Sequence, residues 1–338
     1  MNASPITPSP AGDTLLLSRD DVAALLTLED CMDAVENAFS AAARGLIGPP
    51  AALGFPATDG GFHIKAAALA GKAAYFAAKL NGNFFMNRTR HGLPNIQGLI
   101  LLCDGNTGTP LAVLDSIEVT ILRTGAATGV AARHLALKEA RVLAVCGCGN
   151  QGSVSIRAIV AVRQIEHIRL WDIDPAAAER LGREIKERTA CQVTLASSPA
   201  EAARGSEVIV TCTPSKTAFL RLEDVRTGAF IAAVGADNEE KQEIDPGLMK
   251  AARIVADRIE QCATFGDLHH AIKAGAVSKA DVHAEIGEVI AGMKTGRESE
   301  EQVIVFDSTG TALQDVAAAA VVYEKALASG RGSRFRFA

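Results

Sequence analysis

Three glycines, Gly147, Gly149 and Gly152, stand in G-x-G-x-x-G spacing where the apolar run VLAV gives way to the helical pattern NQGSVSIRAIVAVRQ. That context suits a dinucleotide. It offers a tight turn, a close backbone approach to pyrophosphate, and a helix N-terminus facing it. Asp172 closes the next apolar run, 20 residues beyond Gly152, where a carboxylate accepts bonds from the adenosine ribose and repels a 2′-phosphate. NAD(H) is therefore favoured over NADP(H). The competing role for Asp172, or for Asp174, is to cap the helix that Pro175 begins. Cys146 and Cys148 flank the turn, but two thiols with no further Cys or His beside them make a poor metal site, and no metal is expected.

Hydride chemistry at a nicotinamide asks two more things of the protein: an anchor that fixes the substrate's carbon, and a group that exchanges a proton with its heteroatom. In an open parallel sheet both belong beyond the carboxyl ends of strands. Asp237 stands at such an end, directly after FIAAVGA, although an aspartate there is as readily a turn former. Arg123, in ILRTGAATG, and Lys79, in AAKLNGN, are candidate clamps for a carboxylate, the arginine with the better fork geometry. By residue type alone both are ordinary surface charges. Lys65 interrupts the apolar stretch FHIKAAA, as a site cation or as a lysine snorkelling at a strand end. His63, His269 and His270 are candidate proton carriers without an evident local partner.

These residues need elements to hold them. The chain has 338 residues, long for one domain and comfortable for two at roughly 150 residues each. With 48% hydrophobic and 22% charged residues it has a globular balance that excludes disorder and fibrous repeats. Few aromatics (4%) and a net charge of −5 argue against a nucleic-acid partner, and no apolar run approaches the ~18 residues of a membrane span. The N-terminal segment lacks the basic start and apolar core of a secretory signal. The seven scattered cysteines form no disulfide framework, so a cytoplasmic protein with reduced thiols is expected.

The first dozen residues are Pro/Ser-rich and expected to fray. Ser18 with Asp21, and Thr27 with Asp30, mark two capped helix starts, and Gly45 a stop. Residues 50–115 read as short antiparallel strands, followed by a helix from about Ile117 to Leu137. From Ala140 strand and helix patterns alternate, which implies a parallel, doubly wound sheet. The final pattern, VIVFDSTG and then a helix from about Ala312 to Ala328, either closes that sheet or returns to the N-terminal domain.

The segments KLNGNFFMNRTRHGLPNIQG, LLCDGNTGTPLAVLDSIEVTILRTGAATGVAARHLA, GCGNQG, VGADNEEKQEID and VFDSTGTALQD, in this order, resemble the ornithine cyclodeaminase/mu-crystallin family from about residue 15 to 330. The resemblance implies an α/β fold: a Rossmann doubly wound parallel sheet (residues 126–310) plus an α+β substrate and dimerisation domain formed by both chain ends (residues 1–125 plus 311–338). It also implies a homodimer. The catalytic aspartate falls on Asp237, the carboxylate-binding cations on Lys79 and Arg123, and a substrate contact on Thr309. Cofactor contacts fall on Asn95 (Thr in many members), Asn150, Gln151, Asp172, Thr213, Val234, Gly235, Ala236, Lys241 and Ser308, with Arg123 shared between cofactor and substrate.

Two departures bear on the activity. Many members place an arginine after a proline where this chain reads GPPAALG. The ornithine-specific enzymes carry a glutamate upstream of the position of Lys79, where this chain offers His63 and Lys65. A cation there repels the δ-ammonium of ornithine and suits a second carboxylate. The expectation is thus an NAD-dependent imine reductase or amino-acid dehydrogenase acting on a small 2-imino or 2-amino acid, with Lys65 toward the substrate side chain. The alternatives are a redox-neutral ornithine cyclodeaminase and a mu-crystallin-like carrier that binds cofactor and ligand without turnover.

Overall fold

The computed structural model describes residues 13–71 and 73–337; the first dozen residues, expected to fray, lie outside the described residues. In chain order the elements are β1 (Asp13–Leu17), α1 (Arg19–Leu25), α2 (Leu28–Ala43), β2 (Ala51–Ala57), β3 (Gly60–Leu69), β4 (Tyr75–Asn83), α3 (Asn87–His91), β5 (Ile96–Asp104), β6 (Pro110–Asp115) and α4 (Ser116–Leu135). There follow β7 (Val142–Cys146), α5 (Asn150–Val162), β8 (His167–Trp171), α6 (Pro175–Arg188), β9 (Gln192–Leu195), α7 (Pro199–Ala203), β10 (Val208–Thr211), β11 (Phe230–Ala233), α8 (Pro246–Ala251) and β12 (Arg253–Ala256). The chain closes with α9 (Ile259–Phe265), α10 (Asp267–Lys273), β13 (Ala284–Glu285), α11 (Ile286–Ile290), β14 (Ile304–Asp307), α12 (Ala312–Ser329) and β15 (Ser333–Arg336). Contacts divide it into two compact units. The first comprises the described residues up to Ala34, Leu46–Arg123 and those from Ala312 onward; the second comprises Val35–Gly45 and Thr124–Thr311.

In the first unit seven strands form a mixed sheet in the order β15-β1-β6-β5-β4-β3-β2, with β1 and β6 parallel and the other pairs antiparallel. Ser18 caps α1: its hydroxyl accepts the Asp21 N–H at 3.2 Å, while the Asp21 carboxylate accepts the Ser18 N–H at 3.0 Å. Period-two alternation splits the sheet residues between faces. Ala67, Ala77, Lys79, Ile100, Leu102, Ala112 and Leu114 are buried on the face that α12 covers at β3 and β4. Leu53, Phe55, Phe62, Leu80, Leu99 and Leu101 point to the opposite face and are exposed.

The second unit holds an eight-stranded sheet in the order β13-β12-β14-β11-β10-β7-β8-β9, parallel throughout. The run β9-β8-β7-β10-β11 has the 3-2-1-4-5 order of a dinucleotide-binding Rossmann sheet, and β14, the last strand of this sheet in the chain, is inserted between β11 and β12. Its central strands, VIVT, FIAA and IVFD, are buried at every residue, which is why they read as unbroken apolar runs. β14 lies inside this sheet, whereas α12 belongs to the first unit, so the strand and helix of the final sequence pattern part company. Val35–Gly45, which the sequence reading puts with the substrate domain, groups with the second unit. Glu36 bonds His134 at 2.6 Å, and Gly287 packs so closely on Phe39 that a Cβ there would lie 2.3 Å from the Phe39 carbonyl oxygen.

Candidate active site

In the second unit β7 ends at Cys146 and Gly147 turns the chain at φ +108°, a conformation that side chains resist. Gly149 is the N-cap of α5 and no side chain caps that helix, so its first N–H groups are left for another acceptor. A Cβ at Gly149 would meet nothing within 4 Å, whereas at Gly152 it would lie 2.1 Å from the Gly147 carbonyl oxygen. One glycine thus keeps the space over the turn open, and the other lets α5 pack against the turn. Asn150 and Gln151 form the first turn of α5, and the Gln151 Oε1 is buried without a hydrogen-bond partner among the described residues. An open backbone at an uncapped helix end, with a polar atom left over, fits a pyrophosphate.

Asp172 follows β8 and braces this turn: its Oδ2 accepts the Cys148 N–H at 2.7 Å and its Oδ1 the Asp174 N–H at 2.9 Å. Asp174, rather than Asp172, caps α6, accepting the Ala176 N–H at 3.0 Å. Lone pairs on the Asp172 carboxylate are left for hydroxyls. Arg180, the cation that a 2′-phosphate would need nearby, lies 3.6 Å from Asp174. Cys146, Cys148 and Cys212 are free thiols, and burial pushes the Cys148 thiol up to about 12. No group of three or more His, Cys, Asp or Glu among the described residues is placed to hold a metal ion.

Thr213, Val234–Asp237 and Ser308–Thr309 follow β10, β11 and β14, at the carboxyl ends of adjacent strands. Buried carboxylates that the sequence reading does not single out tie them down. Thr213 donates its N–H (2.6 Å) and hydroxyl (2.7 Å) to Glu243 Oε1, and the Gly235 N–H donates to Glu243 Oε2 at 3.0 Å. Asp257 accepts the Ser308 hydroxyl at 3.0 Å, the Thr309 hydroxyl at 3.3 Å and the Gly310 N–H at 2.8 Å. Asp237 is half-exposed, and its Oδ1 accepts from Lys241 Nζ at 2.7 Å. The ring of His270 bonds the Lys241 carbonyl at 2.9 Å, and burial pushes its pKa down; His269 packs edge-on against it, with ring centroids 5.1 Å apart.

The first unit gathers the cations. Lys79 on β4 and Arg123 on α4 converge on Asp315, in the first turn of α12. Lys79 Nζ donates to Asp315 Oδ1 at 2.7 Å and to Thr120 Oγ1 at 3.3 Å. Arg123 Nε stands 3.1 Å from the same oxygen without a well-aligned N–H, and Nη1 donates to Gln314 Oε1 at 2.9 Å. Lys79, Arg123, Gln314 and Asp315 are buried. Burial brings Lys79 down to about 7 even with Asp315 beside it. Burial would push Asp315 up, but Lys79 and Arg123 more than offset this and hold it below the usual carboxylate range. Lys65 is the register partner of Lys79 across the β3–β4 ladder and adds to the positive potential at both Lys79 and Asp315; His63 is the register partner of Asn81. Asn95 stands apart from this cluster: its Oδ1 accepts the Arg88 N–H at 2.9 Å and its carbonyl the Phe84 N–H at 2.8 Å, which closes the β4–β5 connection. Asp315 and Gln314 went unassigned in the sequence, although they stand in the TALQD that ends a family-like segment.

The sequence model of the ornithine cyclodeaminase/mu-crystallin family matches residues 12–330. The alanine dehydrogenase of Archaeoglobus fulgidus is 39% identical over 325 residues, 96% of this chain and 99% of that protein. A solved archaeal alanine dehydrogenase dimer with bound NAD superposes with a TM-score of 0.93 at 39% identity, covering 96% of this chain and 100% of that one. The iminosuccinate reductase of Paracoccus denitrificans is 36% identical over 326 residues, 92% of this chain and 96% of that protein. The Thermococcus litoralis Δ1-pyrroline-2-carboxylate reductase, solved with NADH and L-proline, superposes with a TM-score of 0.87 at 29% identity, covering 95% and 99% of the two chains. By the extent of these matches, the chain belongs to the ornithine cyclodeaminase/mu-crystallin family.

Proposed function

We propose that this protein is an NAD(H)-dependent oxidoreductase that interconverts a small 2-imino acid and its L-amino acid. The observation that carries the reading is the buried Lys79–Asp315–Arg123 group, two desolvated cations on one carboxylate. Such a group suits a substrate carboxylate, which gains most from donors already stripped of water. The named relatives support it, because alanine, iminosuccinate, pyrroline-2-carboxylate and proline all carry a carboxylate next to a C–N centre.

Lys79 and Arg123 hold the carboxylate, with Lys65 and Thr309 toward the rest of the substrate. When bound, the nicotinamide supplies or takes up the hydride. Asp237 exchanges the proton with the substrate nitrogen, and Lys241 holds the Asp237 carboxylate in place. The glycine turn and the first turn of α5 receive the pyrophosphate. Asp172 receives the ribose hydroxyls and disfavours NADP(H). Asn95, Thr213, Val234, Gly235, Ala236, Lys241 and Ser308 complete the cofactor contacts. The seven free cysteines suit a reducing, cytoplasmic setting, and the exposed apolar sheet face of the first unit suits a second copy of the chain, making a homodimer.

The test is NADH oxidation with pyruvate, glyoxylate, oxaloacetate and pyrroline-2-carboxylate, each with and without ammonium, and L-ornithine assayed separately for ammonia release. Ammonium-dependent oxidation, or oxidation with the cyclic imine alone, is the expected result. Ammonia from ornithine without net NADH change would make the protein a cyclodeaminase. NADH binding without turnover on any of these would make it a carrier.

A further inference from the structure

The interior of the second unit holds carboxyl groups that the proposed chemistry does not use. Asp267, at the start of α10, and Asp307, at the end of β14, are completely buried. Each uses one oxygen on backbone donors: Asp267 Oδ1 accepts the N–H groups of Glu243 and Ile244, both at 2.8 Å, and Asp307 Oδ2 accepts that of Leu268 at 2.8 Å. The remaining oxygens, Asp267 Oδ2 and Asp307 Oδ1, have no hydrogen-bond partner among the described residues. The groups are neighbours, because the Asp307 carboxyl lies on the backbone that carries Asp267. A Cβ on Gly266 would stand 2.4 and 2.7 Å from the Asp307 oxygens. Two adjacent ionised carboxylates in a dry interior are too costly to persist without a cation, and a proton is the cation that needs no further ligands.

We propose that Asp267 and Asp307 hold one proton between them, as a carboxylic acid and a carboxylate, and that this pair, acting through Glu243, positions the strand-end loops of the cofactor site. Asp267 holds the backbone of Glu243, Glu243 holds Thr213 and Gly235, and Asp307 immediately precedes Ser308. Gly235 belongs to the same construction, since a Cβ there would come within 2.5 Å of the Glu243 carboxyl. Burial, then the Glu243 charge, raises Asp267 to about 7; burial, then Asp267, raises Asp307 well above its ordinary value; burial raises Glu243. The other ionisable groups facing the pair are Asp257 after β12 and Cys262 on α9, whose Sγ lies 3.2 Å from Asp257 Oδ1 and 3.3 Å from the Asp307 carbonyl oxygen, either of which can accept its one proton. On α10 itself, His270 turns its ring to the Lys241 carbonyl.

The loop-positioning half rests on the proposed cofactor site; the shared proton does not. Infrared spectra of the whole protein at pH 7, with and without carbon-13 in the aspartate carboxyls, test the proton. The expected result is a protonated-carboxyl stretch that moves with the label and is lost when Asp267→Asn and Asp307→Asn are combined. A wild-type spectrum holding only carboxylate bands overturns the proposal without any variant having to fold. The folded pKa values lie above the unfolded ~3.9, so the pair's contribution is fully present below that pH. It falls about tenfold in the folding constant per pH unit and per retained proton as pH rises toward the folded values. Wild type should show this loss, and Asp307→Asn, which removes one of the two carboxyls, should show less of it.

NADH titration tests the positioning. Glu243→Gln, which faces three donors with one acceptor fewer, should weaken NADH by more than about tenfold, with a smaller change in kcat at saturating cofactor. Unchanged NADH affinity in Glu243→Gln overturns the positioning role. A wild-type protein that binds no NADH overturns the cofactor reading, and with it this half of the proposal, while the infrared result stands.

Discussion

Lys79 shows how far burial has altered a lysine in this fold. Held at about 7, it has shed much of its proton at pH 8, while the unfolded chain keeps its own to ~10.4. Between those values the unfolded state binds more protons, so the cost of burying this group is fully present below about 7 and is relieved as pH rises toward ~10.4. A carboxylate ligand at Nζ favours the ammonium. Binding of propionate or pyruvate near pH 7.5 should therefore take up a fraction of a proton, read by calorimetry in buffers of different ionisation heat. Binding without proton uptake would mean that the ligand does not meet Lys79. At the other site, Asp172→Asn keeps an acceptor for the Cys148 N–H but loses the charge. The kcat/KM ratio of NADH to NADPH should fall by about 10–100-fold, or ~1.4–2.8 kcal/mol. An unchanged ratio would leave the cofactor preference to other residues. Lys79 and Arg123 can be picked out in the sequence as charges of the right type. Their partner Asp315 cannot, because it lies 236 residues beyond Lys79 and only the folded first unit brings the two together.

Among the elements, the turn and helix around Gly147–Gly152 carry opposite demands that two alanines separate. Gly152→Ala puts a methyl 2.1 Å from the Gly147 carbonyl, so α5 must shift, lowering both Tm and NADH affinity. Gly149→Ala meets no protein atom. It should leave Tm within about 2 °C while weakening NADH by tenfold or more through the lost backbone approach. Fluorescence titration and thermal melts of the pair decide it, and wild-type affinity in Gly149→Ala would place the cofactor elsewhere. The strands of this unit were legible because strands buried on both faces are written as apolar runs, and α1 and α6 because Ser18, Asp174 and Pro175 announce their starts. The short helices α9 and α10, seven residues each and divided at Gly266, were not, since two turns show too little of the helical period. Asp267 was hidden with them.

For the whole molecule the exposed apolar face of the first sheet makes the sharpest demand. Leu80 and Leu99 are register partners at its middle. Leu80→Glu would bury a charge in any interface formed there, raising the dimer dissociation constant by about 100-fold or more, roughly 3 kcal/mol. Sedimentation should show dimeric wild type and monomeric variant; two dimers would place the interface on another face. The doubly wound unit could be read from its βα rhythm, but which face of the mixed sheet meets α12 could not, because alternation gives two faces and does not say which is covered. The first unit also has a consequence for synthesis on the ribosome. Its sheet sets β1 between β6 and β15, and its buried cations meet their counter-charge in α12. Residues 124–311 can thus gain native contacts while the first unit waits for the last stretch of chain to emerge. Nascent chains in which an unstructured linker replaces the residues after 311, so that β14 has cleared the ribosome tunnel, should show a protease-resistant fragment from the second unit and a readily digested segment around β2–β5. Equal resistance across both would mean that the first unit closes without its final helix, with Lys79 and Arg123 sharing an interior that no carboxylate has yet reached.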